Sequence, residues 1–251
     1  MAINFLVVRL LNNSLPFSSS FEERIRMKPV WVLLHGAIGA EDQLIPLRQQ
    51  LEKKADVHLL TFSGHGSKST EDVPFSIELF AQDVFDYLQT HSLTNVNLFG
   101  YSMGGYVAMY VAKHHPYLVD KIITLGTKFE WNEAVAAREV NMLDPDKIEQ
   151  KVPKFASILA NRHSQERWKT VLQRTQQLLT DLGKENTLQL SDYSTIHHST
   201  TILWAENDTM VSRDEGQLVA SHLPNGRFDV ILHSEHPIEK VNLEQLLRYF
   251  V

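Results

Sequence analysis

Gly100-Tyr101-Ser102-Met103-Gly104-Gly105 is the segment whose spacing most directly specifies chemistry. It has the form G-x-S-x-G, it follows the apolar run Val96 to Tyr101, and it opens a small-residue helical stretch from Met103 to His115. In that setting the serine sits on a tight strand-to-helix turn, with its oxygen at a helix N-terminus where backbone N–H groups favour developing negative charge. The glycines are required because the turn leaves no room for side chains beside the serine. The other reading of such a turn is a serine that only caps the helix. A nucleophilic serine needs a base, and the base needs an orienting carboxylate. Behind an elbow of this kind the chain order is Ser, acid, His. Asp208, in AENDTMV past the apolar run Thr200 to Trp204, is the preferred acid, with Glu206 and Asp214 competing. For the base, His236 and His233 both follow the apolar run Phe228 to Leu232. His236 is preferred because Pro237 places it at the opening of a final helix, whereas His233 stays beside the strand end. The remaining histidines are read as surface or packing residues. His35-Gly36-Ala37-Ile38-Gly39 ends another strand-like run and is expected to supply a backbone N–H from Ala37 to an oxyanion hole, with Met103 supplying the second.

These residues need a frame. Val30 to His35, Asp56 to Phe62, Val96 to Tyr101, Lys121 to Leu125 and Thr200 to Trp204 are short, nearly all-apolar runs, as expected of strands buried on both faces. Helical patterns alternate with them. Ile77, Phe80, Val84 and Leu88 form one stripe over 77–91. The alternation implies a mostly parallel β-sheet flanked by helices, the α/β class. It breaks over 126–199, where only helix signals occur. Asp144 with Pro145 opens one helix, and Ser164 is expected to cap another whose stripe runs Trp168, Val171, Leu172, Thr175, Leu178, Leu179, Leu182, with Gly183 as the stop. The expected division is a core of 1–125 and 200–251 with a helical cap at 126–199, inserted after a sixth strand. The start, MAINFLVVRLL, is expected to open the sheet, although Met27 could instead be the natural start.

Bulk properties narrow the function. The chain has 251 residues, enough to bury a large core without staples. Its 24 basic against 30 acidic residues give a net charge of −6, which argues against nucleic acid as a partner. It contains no cysteine, so disulfides, thiolate metal sites and cysteine nucleophiles are excluded. No run approaches the roughly 20 apolar residues of a membrane span. There is no H-E-x-x-H metal motif and no P-loop, and Gly64-His65-Gly66 is read as a structural turn. The expectation is a cytoplasmic protein, monomer or dimer, with a small-molecule substrate, no cofactor, no metal and no membrane partner.

With HGAIG at 35–39, SGHGSKS at 63–69, GYSMGG at 100–105, AENDTMV at 205–211 and SEHPIEK at 234–240, the chain resembles the α/β-hydrolase superfamily from Val30 to Val251. Two departures stand out. Thr61 and Ser63 replace an aspartate and an arginine in the family's D-x-R-G-x-G-x-S turn, and Ala205 stands where glycine is usual. The resemblance implies a cap that shapes the pocket, and Trp131, Trp168 and Tyr106 are the expected substrate-binding residues. It is nearest to small esterases, C–C hydrolases and a menaquinone-pathway synthase. That synthase has an arginine after the double glycine, where this chain has Tyr106. The leading expectation is hydrolysis of a small or medium carboxylic ester. A lyase using the same triad is the first alternative, favoured if Arg138, Arg162, Arg167 or Arg174 faces the pocket. A ligand receptor on a hydrolase scaffold is the second.

Overall fold

A computed structural model describes residues 28–69 and 72–250. Six strands are found among them: β1 Val30–Leu34, β2 Asp56–Leu60, β3 Val96–Tyr101, β4 Val119–Leu125, β5 Ser199–Ala205 and β6 Gly226–Ile231. They form one sheet in the order β2-β1-β3-β4-β5-β6, and every neighbouring pair is parallel. Successive side chains of a strand point to opposite faces, and here both faces are covered. Val32 and Leu34 pack with Leu98, Ile122 and Ile202 on one side. Trp31 and Leu33 pack with Phe99, Ile123 and Leu203 on the other. This two-sided burial is why the strand runs are apolar without alternation.

Helices α1 Ile45–Leu51 and α9 Leu243–Leu247 cover the second face, while α2 Ile77–Thr90 and α3 Met103–His114 cover the first. Ile77, Phe80, Val84 and Leu88 are the buried stripe of α2, and Ser76 caps it by accepting from the Leu79 N–H. Helix α8, Arg213–His222, lies between β5 and β6. Ser63 is tied by its N–H and hydroxyl to Asp83 at 2.7 and 2.6 Å, so the turn after β2 has its own anchor despite its departure from the family pattern.

Between β4 and β5 stands an insert of four helices: α4 Glu133–Met142, α5 Pro145–Lys151, α6 Pro153–His163 and α7 Trp168–Lys184. Asp144 caps α5 through the N–H groups of Asp146 and Lys147. Among the described residues the insert follows the fourth strand rather than a sixth, and the stretch expected to open the sheet lies outside them. Helix α7 begins at Trp168, later than expected, because Ser164 adopts φ 72° and its carbonyl, not its hydroxyl, meets the N–H of Trp168. Gly183 does not stop α7. A Cβ there would lie 2.5 Å from that of Ala136, so the glycine lets α7 pack closely on α4.

Candidate active site

All six strands run in one direction, so their carboxyl ends share one edge of the sheet. Open α/β sheets bind ligands outside that edge. The loop after β1 carries Ala37, the turn after β3 carries Ser102, the turn after β5 carries Asp208 and the loop after β6 carries His236. Parallel topology thus gathers Ala37 and His236, 199 positions apart (236 − 37).

Ser102 has φ 52° and ψ −118°, a backbone conformation unfavourable to any residue with a Cβ. Neighbours enforce it. Its N–H donates to the Leu125 carbonyl at 2.8 Å, and its carbonyl accepts from the Gly105 N–H at 2.9 Å and the Thr127 hydroxyl at 3.0 Å. The flanking glycines are sterically compelled. A Cβ on Gly100 would sit 2.3 Å from the Gly104 carbonyl oxygen, and one on Gly104 would sit 2.4 Å from that of Leu34.

Asp208 is brought against His236, with Oδ2 2.8 Å from Nδ1. Its other oxygen, Oδ1, accepts from the N–H groups of Met210 and Val211 at 2.8 and 2.9 Å. That division aims one carboxylate oxygen at the imidazole. Nδ1–H must be the donor in this pair, which leaves the lone pair of the neutral ring on Nε2. Gly126, at φ +60°, passes beneath the pair, and a Cβ there would lie 3.3 Å from His236 Nδ1 and 3.4 Å from Asp208 Oδ2.

The competing residues lie elsewhere. His233 has an 83% exposed side chain, and Glu206 receives its N–H at 2.8 Å, so these two brace the outside of the loop. Asp214 is exposed in the first turn of α8. His236 does not open the final helix as expected. It precedes a short 3₁₀ turn, Ile238–Lys240, and α9 starts only at Leu243. One contributor was not anticipated: the Tyr101 hydroxyl donates to the His236 carbonyl at 3.1 Å and steadies the loop beneath the ring. Burial, with Glu239 nearby, pushes the Tyr101 phenol well up, so it stays a donor. The only sequence signal for this would have been a large polar aromatic inside an otherwise small-residue elbow.

Ser102, His236, Ala37 and Met103 all line one cavity of about 620 Å³. Its walls are largely apolar, with Ile77, Leu178, Leu179 and Leu182 among them, and Trp131 and Tyr106 also line it. Tyr106 is tied down at its far end, donating to the Asn186 side chain and accepting from the Leu188 N–H at 2.8 Å. Trp168 requires a correction. It is buried with Ile148, Ala156, Leu159, Ala160 and Leu172 and does not line the cavity. It starts α7 at the end where that helix meets α5 and α6, whereas the cavity meets the other end. Of the four arginines considered for an anionic substrate, Arg162 lines the cavity, while Arg167 and Arg174 line a separate cleft. Arg138 lies at the surface with a 63% exposed side chain.

His35 is fully buried at the root of the β1 loop. Its Nδ1–H donates to the Gly36 carbonyl at 2.8 Å and its Nε2 accepts from the Phe62 N–H at 3.1 Å. Burial holds it at about 3, so it stays neutral and locks the loop to the end of β2. Among the described residues no cluster of metal-ligating side chains is present, and no helix is long and apolar enough to cross a membrane.

The chain is similar to known proteins in sequence and in fold. The chain is 32% identical over 99 residues to an sn-1-specific diacylglycerol lipase of Xenopus laevis, a match covering 39% of this chain and 31% of that protein. It is 34% identical over 100 residues to ethanol acetyltransferase 1 of Wickerhamomyces anomalus, covering 38% of this chain and 25% of that one. The chain therefore spans a third or less of the length of these curated relatives. Among solved structures, NosK from Streptomyces actuosus superposes with a TM-score of 0.75 at 16% identity, covering 89% of this chain and 97% of that one. A non-heme bromoperoxidase homologue from Mycobacterium tuberculosis H37Rv, BpoC, gives 0.71 at 18% identity over 88% and 91%. At such identities these two likenesses bear on the fold alone. Residues 29–195 match the family described as alpha/beta hydrolase fold, and the chain belongs to that family.

Proposed function

We propose that this protein is a serine hydrolase that cleaves a small or medium carboxylic ester through an acyl-enzyme. The observation that carries the reading is the 2.8 Å pair of Asp208 with His236, set in the same largely apolar cavity as the strained Ser102. Ser102 Oγ attacks the ester carbonyl and its proton passes to His236 Nε2. The imidazolium is stabilised by the carboxylate of Asp208. The amides of Ala37 and Met103 face the oxyanion of the tetrahedral intermediate, where preorganised donors act strongly. Collapse expels the alcohol, which takes the proton from His236. Water then repeats the sequence and releases the acid. In this reading the insert acts as a cap over the serine, with Trp131, Tyr106 and the α7 leucines against the acyl chain.

A second fate of the same acyl-enzyme is transfer to an alcohol, favoured by the likeness to ethanol acetyltransferase. The largely apolar wall of the cavity suits an alcohol acceptor. The lyase reading has weaker support, because Arg162 is already engaged by Asp42 through Nε at 2.9 and 3.0 Å and by the Ile38 carbonyl.

The test is labelling with a fluorophosphonate probe and mapping of the modified residue by mass spectrometry, followed by p-nitrophenyl esters from acetate to decanoate. Labelling at Ser102 is expected. Ser102→Ala should fold and lose several orders of magnitude in turnover, since the triad acts as a unit. Retention of more than a tenth of wild-type hydrolysis would sink the assignment. Adding ethanol to the assay and measuring ethyl ester separates hydrolysis from transfer.

A further inference from the structure

The loop that carries the Ala37 amide is not held by its own residues alone. Ile38, the next residue, adopts φ +53°, a left-handed conformation that a β-branched residue avoids. Its carbonyl accepts two hydrogen bonds, both from the last turn of the insert helix α6. His163 Nε2 donates at 2.8 Å and Arg162 Nη1 at 3.2 Å. Arg162 is itself fixed by Asp42, a few residues along the same loop.

The ring of His163 has a second partner. Its Nδ1 lies 2.9 Å from the Gly66 N–H, in the turn after β2. An amide nitrogen can only donate, so Nδ1 must accept, and the proton of the neutral ring must sit on Nε2, facing Ile38. One buried imidazole therefore spans three pieces of chain: the insert, the Gly64–Gly66 turn and the oxyanion loop. Protonation at Nδ1 would set two donors against each other there. Burial holds His163 at about 4, which keeps the ring neutral and its tautomer single.

We propose that His163 is a positioning residue for the oxyanion hole, and that the insert, through its clamp on the Ile38 carbonyl, sets where the Ala37 amide points. The proposal rests on the serine-hydrolase reading above. It makes the insert part of the catalytic geometry rather than a cover alone. An amide displaced from the oxyanion loses most of its value in the transition state, while ground-state binding in the apolar cavity is untouched. The clamp should therefore appear in kcat and not in KM.

His163→Phe keeps the ring volume and removes both hydrogen bonds. Per phosphonylated active site, kcat should fall about 10- to 100-fold, the scale of an oxyanion donor moved by under an ångström, with KM within about three-fold. An alkylboronic acid, which adds the serine oxygen to boron and sets a B–O group in the oxyanion hole, should weaken in proportion to the loss in kcat/KM. His163→Gln places an amide N–H near the Nε2 position and should recover kcat to within about five-fold of wild type. A merely structural histidine would lower the melting temperature of both variants, leaving kcat per labelled site and the boronate Ki unchanged. That result would overturn the proposal. If His163→Phe does not fold, Arg162→Met removes the second donor to Ile38 and should shift kcat and boronate Ki together; unchanged values would overturn the clamp. Wild-type protein that is not labelled at Ser102 would overturn the serine reading and the clamp with it. Labelled wild type with unaffected variants would overturn the clamp alone.

Discussion

At the scale of single residues, the site is built from conformations that ordinary residues resist. Ser102 holds φ 52° and ψ −118°, a strain of about 1–3 kcal/mol that the surrounding hydrogen bonds sustain. Glycine accepts that conformation freely and alanine does not. Ser102→Gly should therefore be more stable than Ser102→Ala by about 1 kcal/mol, with both inactive. Urea unfolding of the two variants measures the difference, and equal midpoints would mean that the elbow stores no strain. Gly126 is the complementary case. Its φ of +60° strains any residue with a side chain, and a Cβ added there would crowd the Asp208–His236 pair at 3.3–3.4 Å. Gly126→Ala should cost about 1 kcal/mol or more of stability and lower kcat by displacing the pair. Parallel melting and kinetic measurements would show both losses.

At the scale of elements, α7 does two jobs along one apolar stripe. Trp168 and Leu172 pack on α5 and α6, while Leu178, Leu179 and Leu182 face the cavity. Trp168→Ala should destabilise by about 3–5 kcal/mol, as large-to-small changes in packed clusters do, and should scale activity on all ester lengths alike. Leu182→Phe adds volume at the cavity wall. It should shift the preferred acyl chain toward shorter esters, by a factor of about 10 per excluded methylene or two. A kinetic series from acetate to decanoate on both variants decides between them. A length-dependent effect of Trp168→Ala would return that residue to the pocket. The insert is held to the core by specific contacts as well as by apolar packing. The Glu215 carboxylate on α8 accepts from the N–H groups of Phe129 and Glu130 at the start of the insert, and His163 ties its α6 to two core loops.

At the scale of the whole molecule, several buried histidines couple folding to pH. His35 is held at about 3 and His163 at about 4, in both cases chiefly by burial, and burial also lowers His65 well below its usual value. Folded, these rings are neutral; unfolded, each takes a proton near pH 6.5. Below pH 6.5 the unfolded state therefore binds more protons, and stability falls with falling pH. The decline from His163 runs from about pH 6.5 to 4, and that from His35 continues to about 3. Together they amount to several kcal/mol, on the order of the whole stability of a domain. Urea midpoints measured from pH 7 down to 4.5 should drop steeply, and His163→Gln should flatten part of that slope. A midpoint constant over this range would show that these rings titrate alike in both states.

Much of this organisation was legible from one dimension. Strands buried on both faces read as unbroken apolar runs, and the elbow's glycines announce a turn with no space for side chains. The Ser102, Asp208, His236 order follows from an acid and a base placed after successive parallel strands. Every residue of the α7 stripe lies on the buried face of the helix, because a 3.6-residue period is a local property. What local patterns do not contain is which end of a stripe meets a cavity, so Trp168, expected at the pocket, packs on α5 and α6, while Leu182, not singled out, lines the cavity. Nor could spacing show that the Tyr101 hydroxyl reaches the carbonyl of a residue 135 positions away, or that His163 joins Gly66 and Ile38. Those links depend on where the insert settles on the sheet edge, and that is decided by long-range packing and by the matching of single donors to single acceptors, for which a sequence carries no period.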